Sequence, residues 1–82
     1  MSPTIVIRPA HTDDAFAVRR LAYLDSQRPL RGDALIALAD DVPVAAISLA
    51  DGRVVADPFR PTADVVELLQ LRTSLHDDAI AA

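Results

Sequence analysis

The hydrophobic residues of this chain form short runs that alternate between the spacing of strands and the spacing of helices. Four runs rich in valine, isoleucine and alanine are bounded by proline, glycine or aspartate, as is typical of β-strands. The predicted strands are Thr4–Ala10, Asp33–Asp40, Val42–Ala50 and Arg53–Phe59. Tight turns join the last three strands, and the dipeptide Asp51–Gly52 is a strong hairpin signal, so we expect an antiparallel meander.

Two further stretches carry hydrophobic residues every three or four positions, which predicts helices. The first spans 11–26, with Thr12 as its expected N-cap, and Pro29 is expected to end it. The second extends over Ala63–Leu75, and the tail at about 76–82 is expected to fray. The resulting order, β-α-β-β-β-α, predicts an α+β fold in which two helices cover a four-stranded, mainly antiparallel sheet.

The first helix has a clear hydrophobic face and an unusual opposite face. Its core stripe is expected to consist of Val18, Leu21, Ala22 and Leu24. Phe16 and Tyr23 fall on roughly the opposite side, and they are flanked by Arg19 and Arg20. Either the two rings cover the rim of the sheet or meet the other helix, or they form a contact patch, because aromatic residues and arginine are enriched at protein interfaces.

The last helix carries more hydrophobic surface than one sheet face requires. Packing on a sheet needs a stripe of roughly 100°, whereas the hydrophobic residues here spread over more than half of the circumference. They are Val65, Val66, Leu68, Leu69, Leu71 and Leu75. The surplus must meet the first helix, a second subunit or water.

Composition narrows the class of protein. The 82 residues suit one small domain, 1–82, and 51% hydrophobic against 24% charged residues is a globular composition. Cysteine is absent, which excludes disulfides and thiolate metal sites. The net charge of −4 argues against nucleic acid as the main partner. We see no signal peptide and no uncharged run long enough to span a bilayer, so we expect a cytoplasmic protein without membrane contact.

Residues that could carry catalysis or bind a metal are few. His11 and His76 are far apart in the sequence, and both are expected to lie at the surface. Aspartates occur in adjacent pairs, but two of these pairs have simpler roles at a helix start and a turn. Ser48 has no visible partner that could act as a base. We therefore predict no catalytic residue and no metal site.

The opening segment "IVIRPAHTDDAFAVRRLA", followed by "ALIALADDVPVAAISLADGRVVADPF", resembles the GCN5-related N-acetyltransferase family. In that family a pattern of the form hxIRpAtpxDhxxhxxL opens the fold with the first strand and helix, and further strands follow as a meander. The resemblance covers nearly all of this chain but only the first half of the family domain. The half with the fifth strand, the fourth helix and the usual catalytic tyrosine is absent.

The acetyl-CoA loop of the family would fall at "FRPTADVVELL", where the family has a run like "YRGRGIGRALL". Arg60 matches the family arginine. However, Pro61, Ala63 and Val65 stand where glycines would let the backbone approach the pyrophosphate, and Pro61 also removes an N–H donor. Asp64 adds a carboxylate that competes with a phosphate for the positive end of the helix. The resemblance therefore implies a site that has lost coenzyme A binding, the alternative being weak acetyl-CoA binding through Arg60 and the helix end.

These observations predict a non-catalytic, truncated acetyltransferase-like domain that acts through protein contacts, as a homo-oligomer or with a protein partner. The alternative is an acyl-CoA-dependent N-acetyltransferase with weak activity or a site completed by another chain, and a third possibility is an accessory domain with its own partner. Because the fifth strand of the family is absent, the fourth strand is expected to be an open sheet edge that supports a dimer. The expected interface residues are Val54, Val55, Val66, Leu71, Phe16 and Tyr23.

Overall fold

The computed structural model describes the backbone of residues 4–81 and the side chains of residues 4–74. Within these residues lie four strands and two α-helices: β1 (Ile5–Pro9), α1 (Ala15–Leu24), β2 (Ala34–Ala39), β3 (Val42–Ser48), β4 (Val54–Ala56) and α2 (Ala63–Ala81). The strands form one antiparallel sheet in the order β1-β2-β3-β4. The predicted α+β fold, with two helices and a four-stranded antiparallel sheet, is confirmed.

The two helices cover opposite faces of the sheet, because successive side chains of a strand point to opposite sides. The core under α1 consists of Val18, Leu21, Ala22, Ile36, Ala46 and Val55. The core under α2 consists of Ala37, Val44, Ala45, Ile47, Val65 and Leu69. The predicted core stripe of α1 is therefore correct except for Leu24, which is half-buried. The surplus hydrophobic surface of α2 faces away from α1, so α1 does not cover it.

The start of α1 differs from the prediction. Thr12 is not the N-cap but the first residue of a 3-10 turn, Thr12–Asp14, that leads into the helix. The carboxylate of Asp14 accepts a hydrogen bond from the backbone N–H of His11 at 2.8 Å. The same carboxylate accepts two hydrogen bonds from the guanidinium of Arg8, at 2.7 and 3.0 Å. Asp14 therefore fixes the helix entry to β1.

The end of α1 is also earlier than predicted. Ser26 adopts a left-handed conformation with φ of 54°, and the N–H of Gln27 donates to the carbonyl of Ala22 at 2.8 Å. This is the Schellman arrangement, which terminates a helix and satisfies its last carbonyl groups. Pro29 lies beyond this point and is not the residue that ends the helix.

The last strand and the last helix also differ in length from the prediction. Strand β4 ends at Ala56 rather than Phe59, because the side chain of Asp57 accepts the N–H of Phe59 at 2.9 Å and forms a turn. Helix α2 continues to Ala81 instead of ending at Leu75. The fraying expected at about 76–82 concerns residues whose side chains lie outside the described part of the chain.

Candidate functional site

In the loop before α2, where the family resemblance places a phosphate site, the carboxylate of Asp57 lies next to Arg60. One carboxylate oxygen of Asp57 accepts the N–H of Phe59 at 2.9 Å, and the other lies 3.8 Å from Nε of Arg60. The first backbone hydrogen bond of the helix runs from Val66 to the carbonyl of Thr62 at 2.8 Å. Arg60 therefore has an intramolecular partner at the position where a phosphate would be expected.

A cavity of about 310 Å³ lies beside this loop, at the start of α2. Its lining is mostly hydrophobic and includes Ile5, Val42, Val44 and Val65, together with Arg60. This volume is at the lower end of the range for small-molecule sites. The glycine N–H groups that would hold a pyrophosphate are absent from the adjoining loop, so the cavity is suited to a small hydrophobic group rather than to a large anion.

Strand β4 lies at an edge of the sheet, as the sequence predicts, but part of this edge is already occupied. Arg53 and Asp57 form backbone hydrogen bonds to β3, both at 2.9 Å. Because hydrogen bonding alternates along an antiparallel strand, Val54 and Ala56 direct their backbone groups away from β3. The outward N–H of Ala56 donates to the carboxylate of Asp25 at 3.2 Å. The α1 C-terminus therefore blocks one of the donors that a second strand would use.

The two valines expected at an interface on β4 lie in different environments. Val55 is fully buried in the core under α1, and its backbone faces β3 rather than the open edge. Val54 is half-buried and packs on the core under α2. The side chain of Val55 is therefore inaccessible to a partner, and replacing Val55 would test folding rather than association.

The outer face of α1 is exposed along its whole length. Phe16 and Tyr23 are 77% and 82% exposed, so neither ring covers the rim of the sheet or meets the other helix. Arg19 and Arg20 lie beside them and are also exposed. We call these four residues the α1 ridge; their exposure excludes the first of the two interpretations of the sequence, and the contact patch stays a prediction.

The outer face of α2 carries a second exposed hydrophobic surface. Leu68 and Leu71 are 43% and 56% exposed, and Asp64 and Glu67 beside them are exposed as well. We call these four residues the α2 ridge. Val66 does not belong to it: this residue is half-buried and lies about 140° around the helix from Leu71.

Of the remaining candidate residues, Ser48 has a structural role. The hydroxyl of Ser48 donates to the carbonyl of Arg31 and accepts the N–H of Ala50, each at 3.2 Å. His11 is exposed next to the helix entry, and His76 lies outside the residues whose side chains are described. No group of three histidine, aspartate or glutamate side chains in the described residues could hold a metal ion. None of the helices, over the residues described, has the length and hydrophobicity to cross a bilayer.

Sequence reasoning overlooked Asp25 and the acidic side of the α2 ridge. Asp25 and Ala56 are 31 positions apart, so only the folded chain shows that the carboxylate occupies the sheet edge. Asp64 and Glu67 could have been found from their i, i+3 spacing beside Leu68 and Leu71.

Comparisons with protein-family models, curated proteins and solved structures find no match to this chain.

Proposed function

We propose that this chain is a non-catalytic, cytoplasmic, N-acetyltransferase-like domain that acts through protein contacts, and that it self-associates through the α1 ridge of one copy and the α2 ridge of the next. The observation that carries this proposal is the presence of two exposed helix faces of opposite charge on opposite sides of one sheet. The net charge of −4 favours protein rather than nucleic acid as the partner.

The two ridges are matched in length and in chemistry. Each consists of residues at i, i+3, i+4 and i+7, so each extends over about two helical turns, or roughly 10 Å. The α1 ridge joins two exposed aromatic rings to two arginines, and α1 contains no acidic residue. The α2 ridge joins two exposed leucines to two carboxylates. Docking one on the other would bury rings against leucines and place arginines beside carboxylates.

The position of the ridges determines the symmetry of the proposed assembly. When the α1 ridge of one copy contacts a neighbour, the α2 ridge of the same copy points away from that neighbour, because the two helices lie on opposite faces of the sheet. Two copies therefore cannot satisfy both ridges at once. Such a heterologous contact produces a ring when the rotation between neighbours closes and an open row when it does not, rather than the two-fold dimer expected from β4.

A charge-swap experiment tests the proposal. One variant carries Arg19→Glu and Arg20→Glu, and the other carries Asp64→Arg and Glu67→Arg. Sedimentation velocity should show association of the wild type, and neither variant should associate alone because its two ridges carry the same charge. An equimolar mixture should associate again, because each reversed ridge then meets one of opposite charge.

The matched control for the first variant is Arg28→Glu with Arg31→Glu, which changes the net charge equally outside both ridges. This control should associate like the wild type. Circular dichroism melting should show that all variants are folded, since Asp64→Arg places a positive charge in the first turn of a helix. A wild type that remains monomeric at high micromolar concentration would refute the proposal, and so would a mixture that fails to associate.

The alternative function is an acyl-CoA-dependent N-acetyltransferase, in which the cavity beside Arg60 would hold the acyl group. The pairing of Arg60 with Asp57 and the absence of loop glycines support the non-catalytic proposal instead. Calorimetry with coenzyme A at millimolar concentration is expected to show no saturable heat. A micromolar dissociation constant that is lost in Arg60→Ala would favour the enzyme.

A further inference from the structure

Three arginines meet in a cleft at the end of the sheet where β2 and β4 begin. The cleft has a volume of about 530 Å³ and is lined by Arg28, Pro29, Leu30, Arg31, Asp51 and Arg53. One wall is the loop between α1 and β2, and the other is the turn between β3 and β4. This arginine cleft contains no residue of either ridge and does not include Arg60.

Hydrogen bonds hold the two walls of the cleft together. The guanidinium of Arg53 donates to the carbonyl of Pro29 at 2.6 Å, and the hydroxyl of Ser48 donates to the carbonyl of Arg31 at 3.2 Å. The backbone N–H of Leu49 donates to the carbonyl of Asp33 at 2.9 Å. The loop between α1 and β2 is therefore fixed against the turn between β3 and β4. Ligand binding would lose little conformational entropy, because the loop is already ordered.

The charge of the cleft is opposite to that of the whole protein. Its three arginines face one carboxylate, Asp51, so its formal charge is +2 (three minus one), whereas the chain carries −4. Among the described residues, ion pairs form between Arg8 and Asp14 and between Arg60 and Asp57, and neither pair uses an arginine of the cleft. The backbone N–H of Arg53 donates to Asp51 at 3.0 Å and lowers the pKa of that carboxyl group.

We propose that the arginine cleft binds a small organic phosphate monoester. The phosphoryl group would contact the guanidinium groups of Arg28 and Arg31, with Arg53 adding charge from the opposite wall. Guanidinium groups match the oxygens of a phosphate in a bidentate geometry. The volume exceeds what a bare phosphate ion needs and lies within the range of small-molecule sites. Pro29 and Leu30 supply hydrophobic surface for the organic part of the ligand.

The probe for this site is glycerol 3-phosphate, titrated by calorimetry at constant ionic strength and compared with inorganic phosphate. Saturable binding is expected for both, and it should be tighter for the ester. The double variant Arg28→Gln with Arg31→Gln should bind about a hundredfold more weakly, because each of the two lost charge-assisted hydrogen bonds contributes about a factor of ten or more. The control, Arg72→Gln, removes an exposed arginine that belongs neither to the cleft nor to a ridge, and it should bind like the wild type.

A further variant tests the site without removing an arginine. Asp51→Asn keeps an oxygen that can accept the N–H of Arg53 but removes the only carboxylate of the cleft, so glycerol 3-phosphate should bind more tightly. The proposal is overturned if no saturable binding occurs, if Arg72→Gln loses as much affinity as the Arg28→Gln/Arg31→Gln variant, or if Asp51→Asn binds more weakly. Equal affinity for inorganic phosphate and the ester would overturn the role given to Pro29 and Leu30. Because Arg72 and the arginines of the cleft belong to neither ridge, failure here does not depend on the self-association proposal.

Discussion

At the scale of single residues, the turn between β2 and β3 places two aspartates in conformations that favour glycine or asparagine. Asp40 and Asp41 have φ of 49° and 68°, which is the pattern of a type I′ turn. The carboxylate of Asp40 accepts the N–H of Thr4 at 3.0 Å, so Asp40 has a second role and Asp41 is the residue to change. We expect Asp41→Gly to raise the free energy of unfolding by about 0.5–1 kcal/mol in urea titrations.

The matched control for this change is Gly52→Ala. Gly52 has φ of 72°, and an added Cβ would meet no atom within 4 Å, so any effect is conformational rather than steric. This variant should be destabilised. An Asp41→Gly protein no more stable than the wild type would show that the left-handed backbone costs little at this turn.

A second residue-scale prediction concerns the ion pair between Arg8 and Asp14. Hydrogen bonds from Arg8, and then from the N–H of His11, lower the pKa of Asp14 from 3.8 to about 2. Because the folded-state pKa is depressed, this stabilisation is complete above about pH 4 and is lost as the pH falls toward 2. The difference in Tm between the wild type and Asp14→Asn should therefore shrink over that range, as measured by circular dichroism. A difference that stays constant with pH would contradict this account.

At the scale of elements, hydrophobic periodicity predicted which faces are buried better than it predicted where elements end. The helical spacing identified Val18, Leu21 and Ala22 as core, because that face must pack on the sheet whatever the exact helix length. The end of α1 depends on the left-handed conformation of Ser26, a residue that gives no glycine signal. The occupied edge of β4 depends on a contact between distant residues, Asp25 and Ala56, which no local pattern contains.

The two core leucines of the helices give the element-scale prediction. Leu21 and Leu69 are almost completely buried, each under a different face of the sheet. Changing either to alanine should cost roughly 2–5 kcal/mol, which in a domain of this size is enough to unfold a large fraction of the protein. The matched control is Leu71→Ala on the exposed α2 ridge, which should melt close to the wild type. Similar melting temperatures for Leu69→Ala and Leu71→Ala would mean that the buried face of α2 is assigned wrongly.

At the scale of the whole molecule, the placement of the helices connects the fold to the proposed function. Each helix uses one face for the core and leaves the other exposed, and the sheet holds the two exposed faces on opposite sides. The candidate residues that the sequence grouped together are thereby separated. Phe16 and Tyr23 lie on one side with Arg19 and Arg20, whereas Leu71 lies on the other side with carboxylates. Sequence periodicity predicted the exposed face of each helix. Only the sheet topology shows that these two faces lie on opposite sides of the molecule and cannot both take part in one two-fold contact.

This arrangement makes a specific prediction about the growth of the assembly. The weight-average sedimentation coefficient of the wild type should rise with concentration past the value of a dimer, because two copies leave one ridge of each kind unpaired. Added salt should reduce the association, since the charges at the ridges are exposed and the screening length is about 8–10 Å at 0.1–0.15 M ionic strength.

The Arg19→Glu/Arg20→Glu variant retains an intact α2 ridge, but no further copy can bind to its α1 ridge. A small fraction of it should therefore cap the wild-type rows and lower their mean size, whereas the same fraction of the Arg28→Glu/Arg31→Glu control should not. A dimer of constant mass that is unaffected by the capping variant would instead indicate a two-fold interface elsewhere on the molecule.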